Sequence, residues 1–267
     1  MKEEVLKRLD HYSMGNLIEK NQSMYFSGSC FSAEIGARCI ADGFSALANP
    51  GGTMFDPLSI ERHLEGIMTR RKFSSIDLFF HDGVYRNWDH YSRLGTSDEK
   101  ETLHKLNHLY ESAATYLSNC RVLWITFGTA WYYQLNANHR PVCNCHKMPN
   151  SLFEKRIMSS AEIVERWTIF IQRLRAYNPS LNIGFTVSPV KHLRDGLIEN
   201  SRSKAILLDA VHQLAEKSLG HYFPAYELVN DVLRDYSYYK DDNAHPNEKA
   251  IDFVYRFFKE KVLAGDR

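Results

Sequence analysis

The chain has 267 residues, 44% apolar and 24% charged, and its 33 basic and 32 acidic side chains leave a formal net charge of +1. That balance excludes a disordered chain, which needs low hydrophobicity and high net charge. It also argues against a duplex nucleic-acid binder, which needs a basic excess.

The length suits one domain spanning 1–267 with a sizeable core. The stretch from Met1 to Asn16 lacks the apolar segment of a secretory signal. No window approaches 18 consecutive apolar residues, so no membrane span is expected. The five cysteines, an odd number, then fit reduced thiols in the cytoplasm.

In chain order, Met24-Tyr25-Phe26 predicts a strand that turns at Gly28-Ser29-Cys30. Ser32 to Asp42 has helical spacing of Ala33, Ile35, Ala37 and Ile40. Ala48 to Gly52 reads as a loop, and Pro57 to Arg70 as a helix with proline in its first turn. Ile76 to Phe80 predicts a short buried strand. Ser97 is the candidate N-cap of a long helix reaching about Ser118. Arg121 to Phe127 is the strongest strand. A helix opens at Ser159 or Ser160 and stops before Asn178-Pro179. Asn182 to Val187 is a strand, and Ser201 to Leu219 a helix. Tyr222 to Leu228 reads as a last strand, placed at an edge by Pro224. Pro246 to Val262 is the closing helix.

Strands alternating with helices of this length predict βαβ units and a mainly parallel sheet. Ligands then bind beyond the carboxyl ends of the strands. Four segments fall there: Gly28-Ser29-Cys30, the loop after Phe80 with His81 and Asp82, Gly128-Thr129, and Ser188-Pro189.

Ser29 on a strand-to-helix turn is a candidate nucleophile, because the helix N-terminus supplies free N–H groups and a positive dipole end. The plainer alternative is that Ser29 only caps the helix. Cys30 is the rival nucleophile, with a thiol that a helix N-terminus would acidify. Asp242 and His245 stand as Asp-x-x-His before the closing helix, where one carboxylate can fix the tautomer of the same imidazole. The alternative there is a solvated acidic turn.

A serine after the first strand with Asp-x-x-His before the last helix resembles the SGNH, or GDSL-like, hydrolases. More closely, the chain resembles the GSCFA family, with the naming motif standing here as Gly28-Ser29-Cys30-Phe31-Ser32. Further similar segments are Asn49-Pro50-Gly51-Gly52, Phe127-Gly128-Thr129-Ala130-Trp131, Asn144-Cys145-His146-Lys147, Ser188 to Gly196, Tyr222 to Glu227 and Ala244-His245-Pro246. The resemblance implies a three-layer α/β/α flavodoxin-like sandwich with Ser29, His245 and Asp242 as a triad acting on an ester-linked acyl group. It departs from the SGNH pattern at Gly128-Thr129-Ala130, where the side-chain donor of the oxyanion hole is missing. The expected donors are then the N–H groups of Ser29 and of Gly51 or Gly52, with Asn144 or His146 replacing the absent asparagine.

Cys143, Cys145, His146 and His139 invite a zinc reading, but the Cys-x-Cys-His spacing is too tight and no second cysteine pair exists. No metal and no cofactor are expected, and no nucleotide motif is present. Lys191, His192 and Arg194 either recognise an acidic substrate group or form a solvated loop around Asp195. The partner expected is a small-molecule or carbohydrate ester, with neither nucleic acid nor membrane. Three functions compete: an esterase for a small acyl group such as acetyl on a carbohydrate, an O-acyltransferase with a cleft walled by Trp131, Tyr132 and Tyr133, and an inactive glycan-binding module.

Overall fold

The computed structural model describes residues 2–9, 12 and 18–264, so part of the N-terminal stretch read for an export signal lies outside the described residues. Among these, no helix is long and apolar enough to cross a membrane.

Five strands build the central sheet: β1 Ser23–Gly28, β2 Ser45–Ala48, β3 Val122–Phe127, β4 Asn182–Val187 and β5 His221–Tyr222. All neighbouring pairs are parallel. The order is β5-β4-β3-β1-β2, and read from the other edge it is the flavodoxin-like 2-1-3-4-5. β3 is buried along its whole length, as expected of a parallel strand covered on both faces. Its alternate residues serve two cores. Leu123, Ile125 and Phe127 face one, and Val122 and Trp124 face the other.

Six helices form the outer layers: α1 Cys30–Ala41, α2 Pro57–Met68, α3 Glu99–Asn119, α4 Ser160–Tyr177, α5 Leu197–Glu216 and α6 Glu248–Val262. α2 to α5 bury Leu64, Leu106, Ile163 and Leu207 against one face. α1 and α6 bury Ile35 and Phe258 against the other, beside a short α-turn and π-helix over 225–233. The expected α/β/α sandwich is therefore the observed architecture.

Several boundaries differ from expectation. Ser45–Ala48, of which only Ala48 falls in the expected loop and the rest in no expected element, is an edge strand recruited by β1. The long helix α3 is capped by Asp98, whose carboxylate accepts the Glu101 N–H at 2.7 Å, and not by Ser97. α6 begins at Glu248, capped by Asn247, and not at Pro246. Of the expected last strand only Tyr222 pairs in the sheet, joined by His221 before it, because Pro224 lacks the N–H that would continue the ladder.

The expected buried strand Ile76 to Phe80 is overturned. Ser75–Asp77 is a 3₁₀ turn, and Phe79–His81 pairs antiparallel with Val84–Arg86 in a separate ribbon. Ile76 and Phe80 are 93% and 59% exposed. Asp82-Gly83, both at positive φ, make the tight hairpin, a dipeptide suited to that turn. His81 and Asp82 therefore leave the sheet's carboxyl edge. A second insertion, Trp131–Leu135 with Pro141–Val142 and Phe153–Ile157, forms a three-stranded antiparallel sheet that the sequence pattern did not reveal.

Candidate active site

β1 and β3 are neighbours whose connections leave in opposite directions, and such a switch point opens a crevice at the carboxyl edge. Ser29 follows β1 there and is the N-cap of α1. Gly28 makes the close approach possible: at φ 138, a Cβ would stand 2.2 Å from the Thr126 carbonyl oxygen. The turn is fastened from both sides. The Gly28 N–H donates to Asn49 Oδ1 (2.9 Å), and Asn49 Nδ2 donates to the Ser29 carbonyl (3.1 Å). Ser32 Oγ donates to Thr126 Oγ1 at 2.6 Å.

The Ser29 hydroxyl accepts the Phe31 N–H at 3.3 Å, and the residue is 1% exposed. Among the described residues no hydrogen bond joins Ser29 Oγ to His245. Cys30 departs from expectation. Burial first, then Glu34, push its thiol pKa up, and the helix N–H groups and Lys240 offset this only in part. The thiolate is therefore disfavoured where the helix dipole alone would have favoured it.

Asp242 and His245 form the expected pair. Asp242 Oδ1 accepts the N–H groups of Ala244 and His245, both at 2.9 Å, and Oδ2 lies 2.7 Å from His245 Nδ1. The His245 N–H, the Ala244 N–H and the ring together lower the carboxyl to about 2. An ionised carboxylate only accepts, so in the neutral imidazole Nδ1 carries the proton and the lone pair falls on Nε2. The loop is tied down by the Lys240 N–H donating to the His245 carbonyl (2.7 Å) and the Lys191 N–H donating to that of Ala244 (3.0 Å).

The expected oxyanion donors need correction. The N–H groups of Ser29, Gly52 and Gly128 already donate to the carbonyls of Thr126, Asn49 and Phe55, at 3.1, 2.8 and 2.7 Å. The Gly51 N–H makes no hydrogen bond among the described residues. His146 is an internal staple: Nε2 donates to the Asn87 carbonyl (2.8 Å) and Nδ1 accepts from Ser92 Oγ (3.0 Å). Burial lowers its pKa to about 4. Asn144 Oδ1 accepts the His146 N–H at 2.7 Å. The described contacts thus tie His146 to the Asn87–Ser92 segment and Asn144 to its own loop, and none reaches Ser29.

Gly51 is backed by a buried chain of rings. His63 Nδ1 meets Tyr110 Oη at 3.1 Å, which meets His90 Nε2 at 3.0 Å. A Cβ on Gly51 would lie 2.2 Å from His63 Cε1. Gly51→Ala should therefore push the loop off this wall, costing about 1–3 kcal/mol of stability, as overpacking does. A thermal melt checks this, and an unchanged melting temperature would show that the loop yields freely.

Lys191 rests on Tyr236 and Tyr239, with Nζ 4.6 and 4.3 Å from the ring centroids. His192 packs edge-on against Phe55 at 5.6 Å, and burial lowers its pKa to about 4. Asp195 pairs with Lys155. No group of three or more His, Cys, Asp or Glu among the described residues is arranged to hold a metal ion.

The model of the GSCFA family matches residues 23–258. The chain belongs to the GSCFA family. This GSCFA protein is also similar to three solved structures of low identity. One is an α/β hydrolase enzyme from the metagenome of Lake Arreo, 7% identical with a TM-score of 0.48, over 91% of this chain and 96% of that one. A protein from Parabacteroides merdae described as a GDSL-like lipase is 11% identical with a TM-score of 0.46, over 92% and 97%. An acetyl xylan esterase from Butyrivibrio proteoclasticus is 9% identical with a TM-score of 0.42, over 92% and 65%. No curated protein matches the chain.

Two features of the GSCFA site lay outside the sequence reading. The clamp by Asn49 joins residues about twenty positions apart. Ser203 and Lys204, in the middle of α5, bond to the turn after β3. Lys204 did carry a signal, because it interrupts the apolar stripe of Leu207, Val211 and Leu214.

Proposed function

We propose that this protein is a serine ester hydrolase with Ser29 as nucleophile, His245 as general base and Asp242 as orienter. The Asp242–His245 pair carries the reading: its geometry leaves an imidazole lone pair on Nε2, while Ser29 heads α1 at the switch point. The mechanism requires the Ser29 hydroxyl to leave the Phe31 N–H and reach His245. His245 then takes the proton as Oγ bonds to the acyl carbon. The proton passes to the leaving alcohol as the ester C–O bond breaks. Water, deprotonated by His245, releases the acid and restores Ser29.

The substrate proposed is a small acyl ester, with acetyl on a carbohydrate as the first case to examine. A fluorophosphonate probe should label the wild type and fail to label Ser29→Ala. Labelling that survives in Ser29→Ala but disappears in Cys30→Ala would overturn the assignment in favour of the thiol.

Transfer of the acyl group to a sugar hydroxyl is the second reading. It is favoured by the aromatic strand Trp131–Leu135, which opens just after β3 and carries Trp131 and Tyr133 with Lys155 Nζ over both rings. Sugar ester among the products, from an acyl donor plus sugar, separates transfer from hydrolysis. Five free cysteines fit a reducing compartment, so we place this activity in the cytoplasm.

A further inference from the structure

Beneath the strand ends lies a polar centre that the triad does not use. Lys204 sits on the sheet-facing side of α5 and is 2% exposed. Its Nζ donates to the carbonyls of Gly128 and Ser188, each at 2.6 Å. Those are the first residues after β3 and β4. No carboxylate pairs with the amine among the described residues. The adjacent Ser203 accepts the Ala130 N–H at 2.8 Å and bonds Thr129 Oγ1 at 3.1 Å. Lys204 also lies within electrostatic reach of Cys30, the neighbour of Ser29, and of His192.

A lysine buried without a counter-ion is costly. A side chain of similar length without charge would fill the same slot on the apolar stripe. The cost buys two things. The amine knits together two turns that flank the crevice, and it places positive charge under the floor of a dry site, where fixed charges act strongly. Ala130, meanwhile, has no side-chain donor to offer an oxyanion.

We propose that Lys204 is a positioning residue for ester hydrolysis, holding the Gly128 and Ser188 turns and setting a positive charge beneath the place where negative charge collects on the acyl oxygen. It touches no reacting atom and exchanges no proton with the substrate. The inference rests on the hydrolase reading. Burial pulls the amine down to about 7, so the positive form is fully present only on the acid side of neutrality.

The test compares Lys204→Met and Lys204→Gln with wild type, using p-nitrophenyl acetate as substrate and fluorophosphonate titration to count competent sites. Per titrated site, kcat should fall about 10²-fold, the scale of one lost oxyanion donor, with KM within about threefold. Lys204→Gln keeps N–H donors for the carbonyls without the charge and should show the same loss. Per-site kcat within threefold of wild type would overturn the proposal, and so would a loss matched by an equal rise in KM. Failure of both variants to fold would assign Lys204 to the fold alone. A wild type that neither labels nor turns over the ester would overturn the hydrolase reading itself, and this proposal with it.

Discussion

His245→Ala should lower kcat on an acyl ester by roughly 10⁴–10⁶-fold, the scale on which triad members act as a unit. The melting temperature should barely move, because the His245 side chain is half exposed and, among the described residues, its ring bonds only to Asp242. Asp242→Asn should cost about 10⁴-fold for a different reason. Its oxygen can still accept the two backbone N–H groups, so the loop survives. Its NH₂ would then face Nδ1 donor to donor, which moves the ring proton to Nε2 and removes the lone pair that Ser29 needs. Steady-state kinetics on p-nitrophenyl acetate, with melts run in parallel, check both variants. A His245→Ala protein within tenfold of wild type would remove the imidazole from the mechanism.

Gly28→Ala should be the most damaging conservative change to the fold. The added methyl would stand 2.2 Å from the Thr126 carbonyl oxygen, on a backbone at φ 138. Strain in that region and overpacking each cost about 1–3 kcal/mol, so a combined loss of roughly 2–6 kcal/mol is expected. At about 2–4 °C per kcal/mol for a chain near this size, the melting temperature should fall by roughly 4–24 °C. Relief by separating β1 from β3 would also displace Ser29, so activity should fall in the surviving folded fraction. An unchanged melt would mean that the two strands part more easily than their pairing implies.

The parts of the site that were legible in the sequence are local. Ser29 sits at a strand-to-helix junction, and Asp242 and His245 bond across three residues, so short-range chemistry shows them. β3 was legible because a buried parallel strand is a near-continuous apolar run, here Val122 to Ile125. Two of the misreadings share one cause, a partner outside the segment itself. Ser45–Ala48 becomes a strand only through β1. His146 reads as a cleft residue until Asn87 and Ser92 claim both ring nitrogens. Ile76 to Phe80 had the composition of a core strand. A local cap overrode it, with Asp77 accepting the Ser74 N–H while pairing with Arg71. Periodicity sees one element at a time and cannot report these choices.

The register of β1 bears on how the chain folds. On one side Ser23 meets Ser45, one crossover helix away across α1; on the other, Met24 meets Val122, much farther along the chain. Closing the second pairing costs more entropy than closing the first, by roughly 1 kcal/mol, and sheets made of such distant contacts fold slowly. The crevice between β1 and β3 should therefore take shape late. Trp124 lies in β3 and packs on Phe258 of α6, so its fluorescence can follow that step. Catalytic competence should never return before the Trp124 signal does during refolding.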